Sequence, residues 1–193
     1  MPAVERGRLL TRLFHLVEEN GEELAALESR DTGKPVRQGK ADVTATMRYY
    51  EFYGGAADKI HGDTIPFLDG YTALTLREPH GVVAGIIPWN YPMQILARVL
   101  GAAIAMGNTL VVKPAEDASL TAIRIGELAL QAGFPEGVVN VVTGYGATAG
   151  AALLGNASAA AAADAGACAS AYSARWVPCA PSEGRRQVQS RWP

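Results

Sequence analysis

The sequence predicts an α/β fold: helices and a β-hairpin lead into a parallel sheet with crossover helices. Three observations predict it. Apolar residues recur at helical spacing through roughly the first 60 positions. The period then drops to two around residues 64–77. Beyond residue 81, short apolar runs alternate with helix-length segments closed by glycine, the pattern of strand–helix–strand units.

In chain order, residues 3–30 read as helical. Leu9, Leu10, Leu13, Phe14 and Val17 form one face and Glu5, Glu18 and Glu19 the other, and Asn20-Gly21 divides the run into two helices. Asp31-Thr32-Gly33-Lys34-Pro35 is a turn, since Gly33 permits a positive φ and Pro35 suits a helix start. A third helix carries Met47, Tyr50, Tyr53 and Ala57 and runs to about residue 60. Residues 65–68 and 71–76, with Asp69-Gly70 between them, predict a hairpin within 64–77. Then come a strand at 82–87, a helix at 92–106, a strand at 109–113, a helix at 119–132, a strand at 138–142 and the start of a helix at 147–154. This is one half of a doubly wound, Rossmann-like domain, in which ligands sit at the carboxyl ends of the strands.

After residue 154 the character changes. Residues 156–180 are about half alanine without amphipathic period, and 182–193 are polar and basic. The expected organisation is a partial cofactor-binding domain over 1–154 and, over 155–193, a tail that is disordered or arises from a reading-frame change.

Composition narrows the function. A formal net charge of −2 and the lack of a basic patch interleaved with aromatics argue against nucleic acid. The longest apolar stretch, 95–106, contains Arg98 and is too short for a membrane span. The charged first ten residues lack a signal-peptide core, so the expected compartment is the cytoplasm. Two cysteines, Cys168 and Cys179, form neither a disulfide framework nor a zinc pattern, and no metal site is expected.

The chemistry should lie at three strand ends. The first delivers Ile86-Ile87-Pro88-Trp89-Asn90-Tyr91-Pro92, a stiff turn that can aim an amide into the ligand crevice. Asn90 equally suits a helix N-cap. The second delivers Lys113-Pro114-Ala115-Glu116, an ammonium and a carboxylate suited to ribose hydroxyls, or a solvated loop before a helix. The third leads into Thr143-Gly144-Tyr145-Gly146, where glycines admit close backbone approach to a ligand or simply a tight turn.

Together the motifs are more specific. Gly81 through Pro92, Gly107-Asn108-Thr109 through Glu116, and Gly133-Phe134-Pro135-Glu136-Gly137 through Gly144 resemble the aldehyde dehydrogenase superfamily in order and spacing. Asp31-Thr32-Gly33-Lys34-Pro35, Arg48-Tyr49-Tyr50 and Ala57-Asp58-Lys59-Ile60-His61-Gly62 resemble it too, so the likeness covers about 3–154. It implies oxidation of an aldehyde to a carboxylic acid with NAD(P), by a cysteine thiolate and a glutamate base. It assigns Asn90 to the oxyanion, Lys113 and Glu116 to the adenosine ribose, Ile86, Ile87, Pro88 and Trp89 to the cofactor wall, and Gly146 to the adenosine. It implies NAD in preference to NADP, because Glu116 would repel a 2′-phosphate. It implies a homo-oligomer, with the hairpin facing the partner.

Departures from the pattern accompany the likeness. The family's usual N-terminal segment is absent before Met1. No Phe-Thr-Gly-Ser turn, Leu-Glu-Leu-Gly-Gly segment or nucleophile loop follows residue 154, and Gly166-Ala167-Cys168-Ala169-Ser170-Ala171 echoes that loop without its glutamine or spacing. The chain is therefore expected to be inactive as it stands. The alternative is a non-enzymatic fragment that binds nucleotide weakly or pairs with a full-length homologue.

Overall fold

The structure is a computed structural model of the chain. It describes residues 1–155 and the backbone of two further strands, 161–164 and 172–179. Three helices open it: α1 (Ala3–Glu19), α2 (Gly21–Thr32) and α3 (Val36–Ala56). The hairpin follows as β1 (Thr64–Ile65) and β2 (Thr72–Pro79). The alternating part is β3 (Val82–Ile87), α4 (Pro92–Ala105), β4 (Thr109–Pro114), α5 (Leu120–Gln131), β5 (Val139–Val141), a wide π-helical turn (Gly146–Gly150) and α6 (Ala151–Leu154). Strand β6 (Ala161–Asp164) and strand β7 (Tyr172–Cys179) complete the described elements.

The predicted parallel sheet is present, in the order β5-β4-β3-β6. Strands β3 and β4 are short apolar runs largely buried on both faces, which is why they show no polar alternation. Helices α1, α3, α4 and α5 bury Leu10, Leu13, Tyr50, Leu96, Leu100, Ile104, Ile125 and Leu128 in one continuous core with Val83, Leu110 and Val112 of the sheet. Two arginines of α1 tie this core together at helix ends. Arg6 donates to the Ala105 carbonyl through Nε and Nη2 at 3.2 and 3.0 Å, and Arg12 Nε donates to the Ala132 carbonyl at 2.7 Å. These are terminal carbonyls of α4 and α5 that lack intrahelical partners, and cations favour the negative end of a helix. Gly107 and Gly133 then leave the two helices with φ of 87° and 91°, the left-handed exit at which glycine is preferred.

One expectation needs correction. The hairpin turn is wider than an Asp-Gly pair. Ile65 pairs with Ala73, so residues 66–72 connect the last paired positions, with Gly70 at φ 80°. Pro66 cannot donate to a ladder, which stops the first arm early. In the tail, β6 pairs parallel with β3 and β7 pairs antiparallel with β2. In these pairings β6 takes the edge of β3 opposite β4, and β7 takes the edge of β2 opposite β1. Elsewhere the tail, including Cys168, lies outside the described residues. Among the described residues, no helix is long and apolar enough to cross a membrane.

Candidate functional site

Parallel pairing sets Ile86 beside Lys113 and Ile87 beside Pro114. The chain therefore leaves β3 and β4 at the same end of the sheet. The turn carrying Asn90 and the loop carrying Glu116 emerge side by side, at the end where such sheets bind ligands.

Lys113 is 3% exposed, and its ammonium donates to Glu116 Oε2 at 2.7 Å. The Glu116 side chain stays 41% exposed. That hydrogen bond holds the Glu116 carboxyl below the usual carboxylate range, and the Gly146 backbone N–H acts in the same direction. Lys113, Glu116 and Gly146 thus meet, although 30 residues separate the last two in sequence. Beside them lies a cleft of about 230 Å³ lined by Lys113, Val142, Ala149, Ala152 and Leu153. It is apolar apart from the Lys113 ammonium. That volume is below the ~300–1,000 Å³ typical of sites for whole drug-sized ligands, so it suits one flat ring system.

The residues of the first strand end differ among themselves. Ile87 is 1% exposed and belongs to the core, so its side chain offers no wall to a ligand. Ile86 points to the other face of the sheet, as the period-two geometry of a strand requires. Pro88 is half-buried and Trp89 is 64% exposed. Asn90 is exposed. It does not cap α4: Tyr91 occupies the N-cap, no side chain supplies a capping bond, and Pro92 begins the helix without needing a partner for its missing N–H. Its side chain is therefore not used as the cap of α4.

Beneath this turn lies a group of polar residues to which the sequence reading assigned no role. Glu28 and Asp42 are fully buried, and the Lys34 ammonium bridges them at 3.1 and 2.6 Å. Thr121 donates to Glu28 at 2.8 Å, and Gln38 and Gln94 donate to Asp42 at 3.0 and 2.7 Å. Burial pushes the Glu28 carboxyl up. Burial opposes the charge on Lys34, but the Asp42 hydrogen bond and the Glu28 charge outweigh it and hold its pKa above the ordinary lysine value. The one available signal was Lys34 within the Asp-Thr-Gly-Lys-Pro turn. Its carboxylate partners, Glu28 and Asp42, sit on α2 and α3.

Among the described residues, no group of acidic, histidine or cysteine side chains could hold a metal ion.

A parallel sheet with crossover helices and an ammonium–carboxylate pair at its carboxyl end defines a Rossmann-like half domain. Comparison with known proteins makes this specific. The model of the "Aldehyde dehydrogenase family" matches residues 1–168. The chain belongs to the aldehyde dehydrogenase family. A hydroxyisobutyraldehyde dehydrogenase of Mycolicibacterium austroafricanum is 55% identical over 151 residues, covering 78% of this chain and 30% of the relative. A mitochondrial aldehyde dehydrogenase of Arabidopsis thaliana, family 2 member B4, is 52% identical over 154 residues, covering 79% and 29%. The NAD+ complex of an aldehyde dehydrogenase from Bacillus cereus superposes with a TM-score of 0.83 at 44% identity, covering 85% of this chain and 34% of that one. The chain spans about 30% of the length of the curated relatives it matches.

Proposed function

We propose that this chain supplies the adenosine-ribose end of an NAD site and the oxyanion donor of an aldehyde-oxidising enzyme. The observation that supports the reading is the shared strand end: Ile86 is in register with Lys113, so the turn carrying Asn90 and the loop carrying Glu116 leave the sheet at the same end. Lys113 and Glu116 would hold the ribose hydroxyls, and Ala149, Ala152 and Leu153 would flank the adenine. The exposed faces of Ile86, Pro88 and Trp89 would run along the cofactor. NAD, when bound, supplies the hydride acceptor. The ionised Glu116 carboxylate disfavours a 2′-phosphate there, which supports NAD over NADP. The Asn90 amide would donate to the oxygen that becomes negative when a thiolate attacks the aldehyde.

Neither Cys168 nor Cys179 sits in a sequence suited to be that nucleophile. The purified chain should therefore bind NAD saturably yet give no NADH from a simple aldehyde above a blank. NADH production by the chain alone would overturn its inactivity. Joined to the remaining length of the Mycolicibacterium relative, residues 1–154 should support turnover, and Asn90→Ala should lower kcat about 10²–10³-fold. An unchanged kcat in that variant would remove the oxyanion role.

One observation favours a second reading, pairing with a full-length homologue. The hairpin exposes Phe67, Leu68 and Tyr71 at 66%, 65% and 53%, more apolar surface than one short segment usually leaves in water.

A further inference from the structure

We propose that Lys34 is a positioning residue for the Asn90 turn. Its ammonium donates to the Asn90 backbone carbonyl at 3.0 Å, across 56 residues of sequence. The same ammonium lies 5.0 Å from the centre of the Tyr91 ring, over its face. One cation thus grips the turn at two successive residues, one on either side of the peptide that fixes the start of α4.

The grip is rigid because Lys34 has no freedom of its own. Its other donors go to Glu28 and Asp42, each fully buried and each held by neutral donors from further elements. Thr121 comes from α5 and Gln94 from α4, one turn beyond the Asn90 turn itself. Asp42 accepts from both Lys34 and Gln94, so α3 is tied to the turn and to the helix that follows it. Four helices therefore converge on one ammonium, and its remaining donor reaches the turn. A lysine kept only for packing would not need this arrangement; a catalytic amide held without freedom does. Lys34 touches neither the proposed cofactor cleft nor the reacting atoms, so it acts through Asn90. The functional consequence rests on the oxyanion role proposed above, but the positioning itself is measurable without it.

The test is amide hydrogen exchange in the full chain, comparing residues 88–95 with strand β4. Lys34→Met alone leaves two buried carboxylates facing each other, so a triple variant is the informative one. Lys34→Met with Glu28→Gln and Asp42→Asn removes the ammonium without leaving an unpaired buried charge, and keeps polar groups at positions 28 and 42. In the triple variant, exchange at 88–95 should rise on the order of tenfold, the worth of one charge-assisted hydrogen bond, while β4 keeps its protection. NAD affinity, set at Lys113 and Glu116, should stay within about twofold in the same sample, well below the tenfold that one such bond carries. Parent-like exchange at 88–95 in a folded triple variant would overturn the proposal, as would a uniform rise across β4. If the turn loosens while Asn90→Ala leaves kcat unchanged in the joined enzyme, positioning stands and the oxyanion role falls.

Discussion

Lys34→Met should be strongly destabilising. The structure gives its size. One ammonium faces two carboxylates that are fully buried. Removing one partner of a buried ion pair costs roughly 3–5 kcal/mol, because the remaining charge is left in a poor solvent. Two features place the expectation at the low end, near 3 kcal/mol. The Lys34 side chain keeps 12% exposure, and Thr121, Gln38 and Gln94 still donate to the carboxylates. In a chain of this size that corresponds to a fall in Tm of roughly 6–12 °C. The pH dependence follows from Glu28. Its folded pKa is raised above 4.5 by burial, so the folded state holds that proton more tightly than the unfolded chain. The associated penalty is present above the folded pKa and is relieved as pH falls toward 4.5. Loss of Lys34 removes the charge that opposes this shift, so the defect should be largest near neutral pH and shrink in mild acid. Urea unfolding followed by far-UV circular dichroism at both pH values measures it. Adding Glu28→Gln and Asp42→Asn should restore most of the loss. A Lys34→Met defect under about 1 kcal/mol, the ceiling for exposed pairs, would refute the reasoning, as would a defect that grows as pH falls.

Other outcomes follow from other contacts. Gly39→Ala should cost about 1–3 kcal/mol through overpacking, because a Cβ there would lie 2.5 Å from the Ala25 carbonyl oxygen, a backbone atom that cannot swing away. Equilibrium unfolding checks it. Leu10→Ala, at a fully buried position, should cost about 2–5 kcal/mol by the same measurement. Glu116→Gln should narrow the preference for NAD over NADP in binding titrations. In the parent that preference should hold as pH falls through the ordinary glutamate range, since the lowered Glu116 pKa keeps the charge in place and loses it only in stronger acid.

The elements that packing alone dictates were legible in the sequence. Strand β3 occupies 82–87 as expected, and α4, β4 and α5 fall within one residue of their expected ends, because continuous apolar runs and glycine exits leave few alternatives. Local chemistry was less legible. Asp69-Gly70 reads as a two-residue turn, but Pro66 widens it. Ile87 was grouped with Ile86 as a cofactor wall, although adjacent strand residues cannot face the same side. Lys113 and Glu116 were legible as a pair because they lie three apart, and the structure adds Gly146 to them. Glu28, Lys34 and Asp42 were not, since their meeting depends on how α2 and α3 cross.

The central claim is that Lys113, Glu116 and the turn at Gly146 form a nucleotide-binding cleft in this chain. Calorimetric titration of NAD into the purified, cooperatively melting protein tests it most directly. The account predicts saturable binding that AMP competes away and that Lys113→Met abolishes. Absence of saturable binding by the folded chain at millimolar nucleotide, or binding that survives Lys113→Met unchanged, would contradict it.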